Sequence, residues 1–500
     1  MSSHSKKVLI IGAGFAGMSA ASFLAQKGWK VTVVEKNTLP GGRARKFEAN
    51  GFVFDMGPSW YWMPDTFERY FSMFGKKVSD FYQLQRLDPS YRVYFEKAQW
   101  DIPANYEALQ QLLESIEPGA AKALDGFMEE AKFKYEVGVG KLVHQPGQSL
   151  TELIDIDLFK GIFKLDVFQS MKKHIAKYFK HPYIQFLMEF PVLFLGALPE
   201  NTPALYSLMN YADIKGGTWY PEYGMYSIVK GMYELASSLG VEFKLGEEVT
   251  KIEVINGVAK KAHTQVVATK ENKEYDFDIV VGAGDYHHIE SVLLEPAYQS
   301  YSKKYWDSRV MAPSSLLYYV GLNKKLPGVT HHSLFFDTDF GLHGKEIYTH
   351  PKWPTNPLFY ASVPSVTDPT VAPEGCENLF LLIPVAAGLE GDTEEVREKY
   401  FNDLIKRLEE KWGVSIMESI VYKRSFSVAD FKSDYHSFKG NAYGLANTLM
   451  QTANLKPSCR SKKVNNLYYT GQLTVPGPGV PPSLISGEVV ANLIDKNYSK

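Results

Sequence analysis

The sequence predicts an α/β fold in which a buried parallel sheet is interrupted by two long inserts. Three observations predict it. A strand, a glycine loop, a helix, a second strand and an acid follow one another within the first 35 residues. Two further apolar strands, each closing on glycine, return at 277–284 and 466–471. The stretches 104–218, mostly helical in pattern, and 298–458, of mixed strands and helices, fit neither and form the inserts. A chain of 500 residues exceeds one hydrophobic core, so two or three domains are expected.

Val8-Leu9-Ile10-Ile11 is a short apolar run of the kind that a parallel strand, covered on both faces, requires. Gly12-Ala13-Gly14-Phe15-Ala16-Gly17 follows as a G-x-G-x-x-G loop, and Met18 to Lys27 reads as a helix closed by Gly28. Val31 to Val34 forms the second strand, ending on Glu35. Gly12 permits a tight turn, Gly14 lets the backbone approach a pyrophosphate, and Gly17 lets helix and strand pack closely. The helix N-terminus offers N–H groups and a positive dipole end to phosphates. Glu35, 18 residues beyond Gly17, is placed to hydrogen-bond the adenosine ribose. These parts in this order predict a dinucleotide site. Lys6-Lys7 and the apolar run to Ala25 also resemble a secretory leader, but that reading leaves Glu35 and the second strand unexplained.

Further along, Met232 to Leu239 reads as a helix stopped by Gly240, and Val241 to Leu245 as a strand. Val249 to Ile255 and Val258 to Val267, joined by the turn Asn256-Gly257, read as an antiparallel meander. Phe277 to Gly284 is a buried strand running into a glycine turn. At the C-terminal side, Asn466 to Gly471 reads as a strand, Gln472 to Pro482 as a Gly/Pro-rich loop and Ser483 to Asp495 as a helix.

Leu39-Pro40-Gly41-Gly42-Arg43-Ala44, placed directly after Glu35-Lys36, resembles the G-G-R segment of the flavin-dependent amine oxidase and phytoene desaturase superfamily. Phe54-Asp55-Met56-Gly57-Pro58-Ser59 is similar to the D-x-G-P-S segment of bacterial-type phytoene desaturases, and Pro476 to Pro481 to their P-G-x-G-x-P signature. The resemblance extends over nearly the whole chain. One departure is Val475, where His often stands. The resemblance implies a Rossmann-like FAD-binding domain with inserted substrate-binding (α+β) and helical membrane-facing subdomains. It divides the chain into a discontinuous FAD-binding domain (1–103, 219–297 and 459–500), a helical, membrane-facing cap (104–218) and a substrate-binding domain (298–458). It implies FAD contacts from Gly12, Gly14, Gly17, Glu35, Lys36, Gly42, Arg43, Gly57, Pro58, Ser59, Val249, Gly471, Gly479 and Val480. Arg43 would lie near the pyrophosphate, which its planar fork suits, and Val249 would meet adenine through its backbone.

The activity implied is removal of two hydrogens from adjacent carbons of an acyclic carotenoid, with phytoene the first expectation and lycopene its end product. Close alternatives are a hydroxylated acyclic carotenoid, an amine as in the flavin amine oxidases, or carriage of a prenyl lipid by the same fold without flavin chemistry. The electron acceptor would be oxygen or a quinone. No catalytic base is nameable; Glu189, Asp213 and Glu222 are acids in suggestive neighbourhoods.

Composition bounds the rest. Lys and Arg number 54 against 56 Asp and Glu, so the basic excess of a nucleic-acid binder is missing. Aromatic residues reach 14%, which suits apolar cavities, membrane contact or simply a large aromatic core. Cys376 and Cys459 are the only cysteines, so a reducing, cytoplasmic setting without a disulfide framework is expected. The His287-His288 and His331-His332 doublets lack metal-ligand spacing, and no metal site is expected. No apolar run is long enough to span a bilayer. Leu158 to His181 carries Phe159, Ile162, Phe163, Met171, Ile175, Tyr178 and Phe179 at helical spacing, with Lys at 160, 164, 172, 173, 177 and 180. That pattern predicts a basic amphipathic helix on a lipid surface and peripheral attachment; an ordinary core-packed helix with a solvated lysine face is the alternative.

Overall fold

β1 (Lys7–Ile11) buries all but its first residue because strands pair with it on both sides and helices cover both faces. The computed structural model describes residues 6–147, 169–193 and 196–498. α1 (Phe15–Gln26) follows the glycine loop, and Gly28 takes the positive φ that ends it. β2 (Lys30–Glu35) lies parallel to β1. The five-stranded parallel sheet runs Leu467–Tyr469, Ile279–Gly282, β1, β2, Glu242–Leu245. The order turns back at β1, so the crevice at the carboxyl ends of β1 and Ile279–Gly282 is the topological switch point of the sheet.

The final helix, Val480–Tyr498, lies along α1. Contact is close enough that a Cβ on Gly487 would overlap the Ala16 carbonyl oxygen. This helix starts earlier than the sequence suggests, taking in Val480, Pro481 and Pro482 from the expected loop. Proline is tolerated in a first turn, where its missing N–H has no helical acceptor.

A three-stranded meander, Glu247–Ile255, Val258–Val266 and Asn272–Asp276, stands beside this sheet. Asn256 and Gly257 both take positive φ, as a tight hairpin demands.

The second sheet has seven strands in the order Ile420–Phe426, Ser314–Leu322, Glu377–Val385, Phe359–Ser362, His332–Phe336, Tyr91–Phe95, Gln99–Ile102. Helix Glu394–Trp412 buries Phe401, Leu404, Ile405 and Leu408 on one face. The other face meets Phe52, Phe54 and Met56 together with helices of the 104–218 region. Tyr91–Phe95 therefore pairs with His332–Phe336 from 298–458 and carries Gln99–Ile102 with it as the edge strand, although the expected boundary at 103 groups both with the nucleotide region. A two-stranded hairpin is marginal alone and here completes a larger sheet.

Of the basic segment 158–181, residues 158–168 lie outside the described residues. Over Met171–Tyr178 the apolar side turns inward: Met171 and Ile175 are buried, as is the following Phe179, whose ring lies 5.9 Å from that of Phe127. The described part is thus a core-packed helix, and its Lys172, Lys173 and Lys177 face solvent. Among the described residues, no helix is long and apolar enough to cross a membrane.

Candidate cofactor site

The chain leaves β1 at Gly12, whose N–H donates to Val34 O (2.8 Å) and whose φ of 106° makes the turn. Gly17 seats α1 against that turn, since any Cβ there would overlap the Gly12 carbonyl oxygen. Gly14 differs. It caps α1 with no side chain, and a Cβ added to it meets no protein atom within 4 Å. The space in front of the helix N-terminus is open.

Glu35, buried at the end of β2, accepts from Ala13 N (2.9 Å), Asn37 N (2.9 Å) and Asn37 Nδ2 (2.7 Å). Gly42 faces the glycine loop so closely that its Cβ would lie 3.3 Å from the Gly14 α-carbon. Gly41 N donates to Ala13 O (2.8 Å), tying the two segments together. Arg43 donates through Nη2 to Ser437 Oγ (3.0 Å) and Asn441 O (3.2 Å), while its Nε has no partner among the described residues. Burial lowers the Arg43 pKa, and Asp285 opposes that shift. Val249 is buried in the meander against Ile11 and Val34, at the ends of β1 and β2.

Gly57 passes the Arg43 carbonyl, where a Cβ would stand 2.6 Å from the oxygen. Gly57, Pro58 and Ser59 line a cavity together with Tyr220, His331, Ser362 and Phe380. Asp55 accepts from Met225 N (2.7 Å) and Tyr226 N (3.0 Å), capping helix Tyr226–Ser238; burial pushes it up to about 6 against those bonds. Beyond Ser59 stands an aromatic wall. The Trp60 ring stacks on His332 at 4.2 Å and lies 5.4 Å from Tyr91, 5.5 Å from Tyr360 and 6.1 Å from Phe190.

Gly471 (φ 113°) donates to Ser486 Oγ (3.0 Å), and its Cβ would lie 3.8 Å from the Ala16 side chain. Gly479 and Val480 open the last helix, so two helix N-termini converge on one crevice. Lys36 is turned elsewhere: its Nζ donates to Ser433 O (2.8 Å) and lies 3.4 Å from His436 Nε2. Of the three acids, Glu222 is exposed. Asp213 is buried, accepts from Tyr91 Oη (2.8 Å) and Thr218 Oγ1 (3.2 Å), and is pushed up to about 7 by burial. Glu189 is buried without a hydrogen bond among the described residues and is likewise pushed to about 7 by burial. Asp285, Asn441 and Lys456 also reach the crevice or its rim, and no motif in the sequence marks them.

Residues 15–495 match the family model for flavin containing amine oxidoreductase. This chain belongs to that family. Within the family it stands with the carotenoid desaturases. It is 40% identical over 489 residues, 97% of each chain, to a carotenoid 3,4-desaturase of Haloarcula japonica. A zeta-carotene-forming phytoene desaturase of Myxococcus xanthus is 29% identical over 98% of this chain and 94% of its own. An oxidoreductase from Methanosarcina mazei shares the fold, with a TM-score of 0.61 at 16% identity, covering 97% of this chain and all of that one. The protein is a flavin-dependent oxidoreductase, and its cofactor is FAD. The crevice fits that group: it offers open space at Gly14, two helix N-termini for phosphates, and a buried guanidinium with an unspent donor.

Proposed function

We propose that this flavoenzyme dehydrogenates an acyclic carotenoid near its chain end, with FAD lying along the crevice from Glu35 to Gly479. Glu35 takes the adenosine ribose, Gly12, Gly14 and Gly17 with Gly42 and Arg43 hold the pyrophosphate, and Val249 backs the adenine. Gly57, Pro58, Ser59, Gly471, Gly479 and Val480 frame the flavin end. Lys36 supports the site from outside through the 433–436 loop. When bound, FAD supplies the two-electron acceptor. The protein supplies a dry apolar surface: Trp60, Trp62, Tyr91, Phe190 and Tyr360 stand next to Ser59 and exclude water from a hydrocarbon chain.

That aromatic wall carries the reading. Asp213, the acid bonded to this wall, spends both oxygens on Tyr91 and Thr218, which leaves the wall an aromatic, apolar surface suited to a hydrocarbon chain. Desaturation at the 3,4 position is favoured by the 40% identical relative that bears this name, against 29% for the phytoene desaturase. Phytoene, the expectation from sequence motifs, is the second reading. Peripheral contact with lipid is supported by the exposed Met450 and Leu455 beside the cap, and by the outward Lys172, Lys173 and Lys177. A membrane quinone then serves as acceptor.

The test presents FAD-loaded protein and a quinone with liposomes carrying phytoene, lycopene or a hydroxylated acyclic carotenoid. Conversion of lycopene or the hydroxylated compound to products absorbing at longer wavelength supports the reading. Conversion of phytoene alone moves the position of attack and leaves the chemistry. Oxidation of an amine with every carotenoid untouched refutes it.

A further inference from the structure

The C-terminal rim of the crevice holds a buried lysine that no carboxylate faces among the described residues. Lys456 is 5% exposed, and its Nζ donates to Asn447 Oδ1 (2.9 Å), its one hydrogen bond among the described residues. The Nζ faces the Gly477 turn, where a Cβ would stand 3.1 Å away. The groups facing it are thus a neutral amide and a backbone turn. No titratable group of a described residue shifts it, and burial alone lowers it to about 7. An ammonium withdrawn from water without a counter-charge costs several kcal/mol, so this amine keeps its proton only when negative charge comes next to it.

The layout of the crevice identifies which part of the cofactor that is. Glu35 and Val249 mark one end, and Gly14, Gly42 and Arg43 the middle. Gly471 lies on the far side, against the first turn of α1. Arg43 donates to Asn441 O and Gln472 Nε2 to Asn441 Oδ1 (3.0 Å), so the 441–447 loop leads from Arg43 to the partner of Lys456. In the FAD placement proposed above, adenosine at Glu35 and pyrophosphate at Arg43 would direct the flavin end toward the Gly477 turn.

We propose that Lys456 is the charge partner of the reduced flavin, taking up a proton from solvent when the ring becomes anionic and releasing it on reoxidation, with Asn447 and the Gly477 turn holding it in place. This rests on the FAD placement proposed above. Reduction of the ring to its anion consumes two electrons and one proton, and Lys456 adds a second proton above the pH at which it is neutral in the oxidised protein.

The experiment is a spectroelectrochemical titration of the FAD-loaded full chain from about pH 7.5 to about pH 9, where one proton per two electrons corresponds to about 30 mV per pH unit. The wild type is expected to show about twice that slope, and Lys456→Met the single-proton slope of about 30 mV per pH unit. At the lower end of the range the variant's potential should fall by about 30–60 mV, a 10- to 100-fold change in the reduction equilibrium. Should Lys456→Met fail to fold, the wild-type slope decides alone, and Asn447→Asp, which keeps the lysine charged, should remove the second proton. A flavin-bearing wild type with the single-proton slope overturns the role of Lys456. A protein that retains no flavin overturns the site reading beneath it.

Discussion

At one end of the crevice the Glu35 carboxylate is already bonded to Ala13 and Asn37, whereas at the other the Lys456 amine has, among the described residues, only the neutral Asn447 amide. Both side chains are buried, so the difference lies in electrostatic completion rather than exposure. The Glu35 end is organised by the protein's own hydrogen bonds, and in the proposed FAD placement it needs no rearrangement to receive a neutral ribose hydroxyl. The Lys456 end is left without a counter-charge among the described residues, so its protonation responds to whatever charge comes next to it. Positioning and electronic control are thus separated along a single crevice.

The sharpest way to break this picture is at the glycine loop. Gly17→Val should leave no soluble folded protein, because its side chain meets the Gly12 carbonyl. Gly14→Val should fold with an unchanged melting temperature as the flavin-free protein, since no protein atom lies within 4 Å of a Cβ there. It should nevertheless weaken FAD binding by at least about 100-fold, roughly 2.7 kcal/mol, read from flavin absorbance after gel filtration. Retained flavin in the folded Gly14→Val protein would falsify the pyrophosphate placement.

A smaller effect separates the two ends by pH. With a folded pKa near 7 and an ordinary unfolded value, Lys456 holds fewer protons in the folded, flavin-free protein than in the unfolded chain. Apoprotein stability should therefore rise between about pH 7 and about pH 10 by a few kcal/mol relative to Lys456→Met. Denaturant titrations of both proteins measure the difference; parallel curves across that window contradict the buried-cation assignment. Smallest is Glu35→Gln, which keeps the shape and removes the charge. It should weaken FAD by about tenfold, near 1.4 kcal/mol, with no change in the pH dependence of the midpoint potential.

What could be read in the sequence was local. The glycine turn after the first strand, the strand end at Glu35 and the Asn256-Gly257 hairpin are specified by neighbours within a few residues, and the structure has those turns and that strand end where the sequence puts them. A boundary at 103 leaves out that the strand Tyr91–Phe95 pairs with His332–Phe336, because the two lie more than 200 residues apart in the sequence. The basic segment showed an apolar face, but periodicity does not say whether lipid or the protein's own Phe127 covers it. Lys456 belongs to no motif. It acquires its character from burial beside a turn that comes later in the chain, and only the folded arrangement shows that no carboxylate of the described residues faces it.

The central claim is that a polyene passes its hydrogens to FAD in this crevice, and an anaerobic single-turnover measurement tests it most directly. FAD-loaded protein is mixed with carotenoid-loaded liposomes in the absence of oxygen and quinone, and the flavin and polyene bands are followed together. The account predicts bleaching of the oxidised flavin in step with a red-shifted polyene band, one flavin reduced for each new double bond. A flavin that stays oxidised with every carotenoid and bleaches when an amine is added would contradict it.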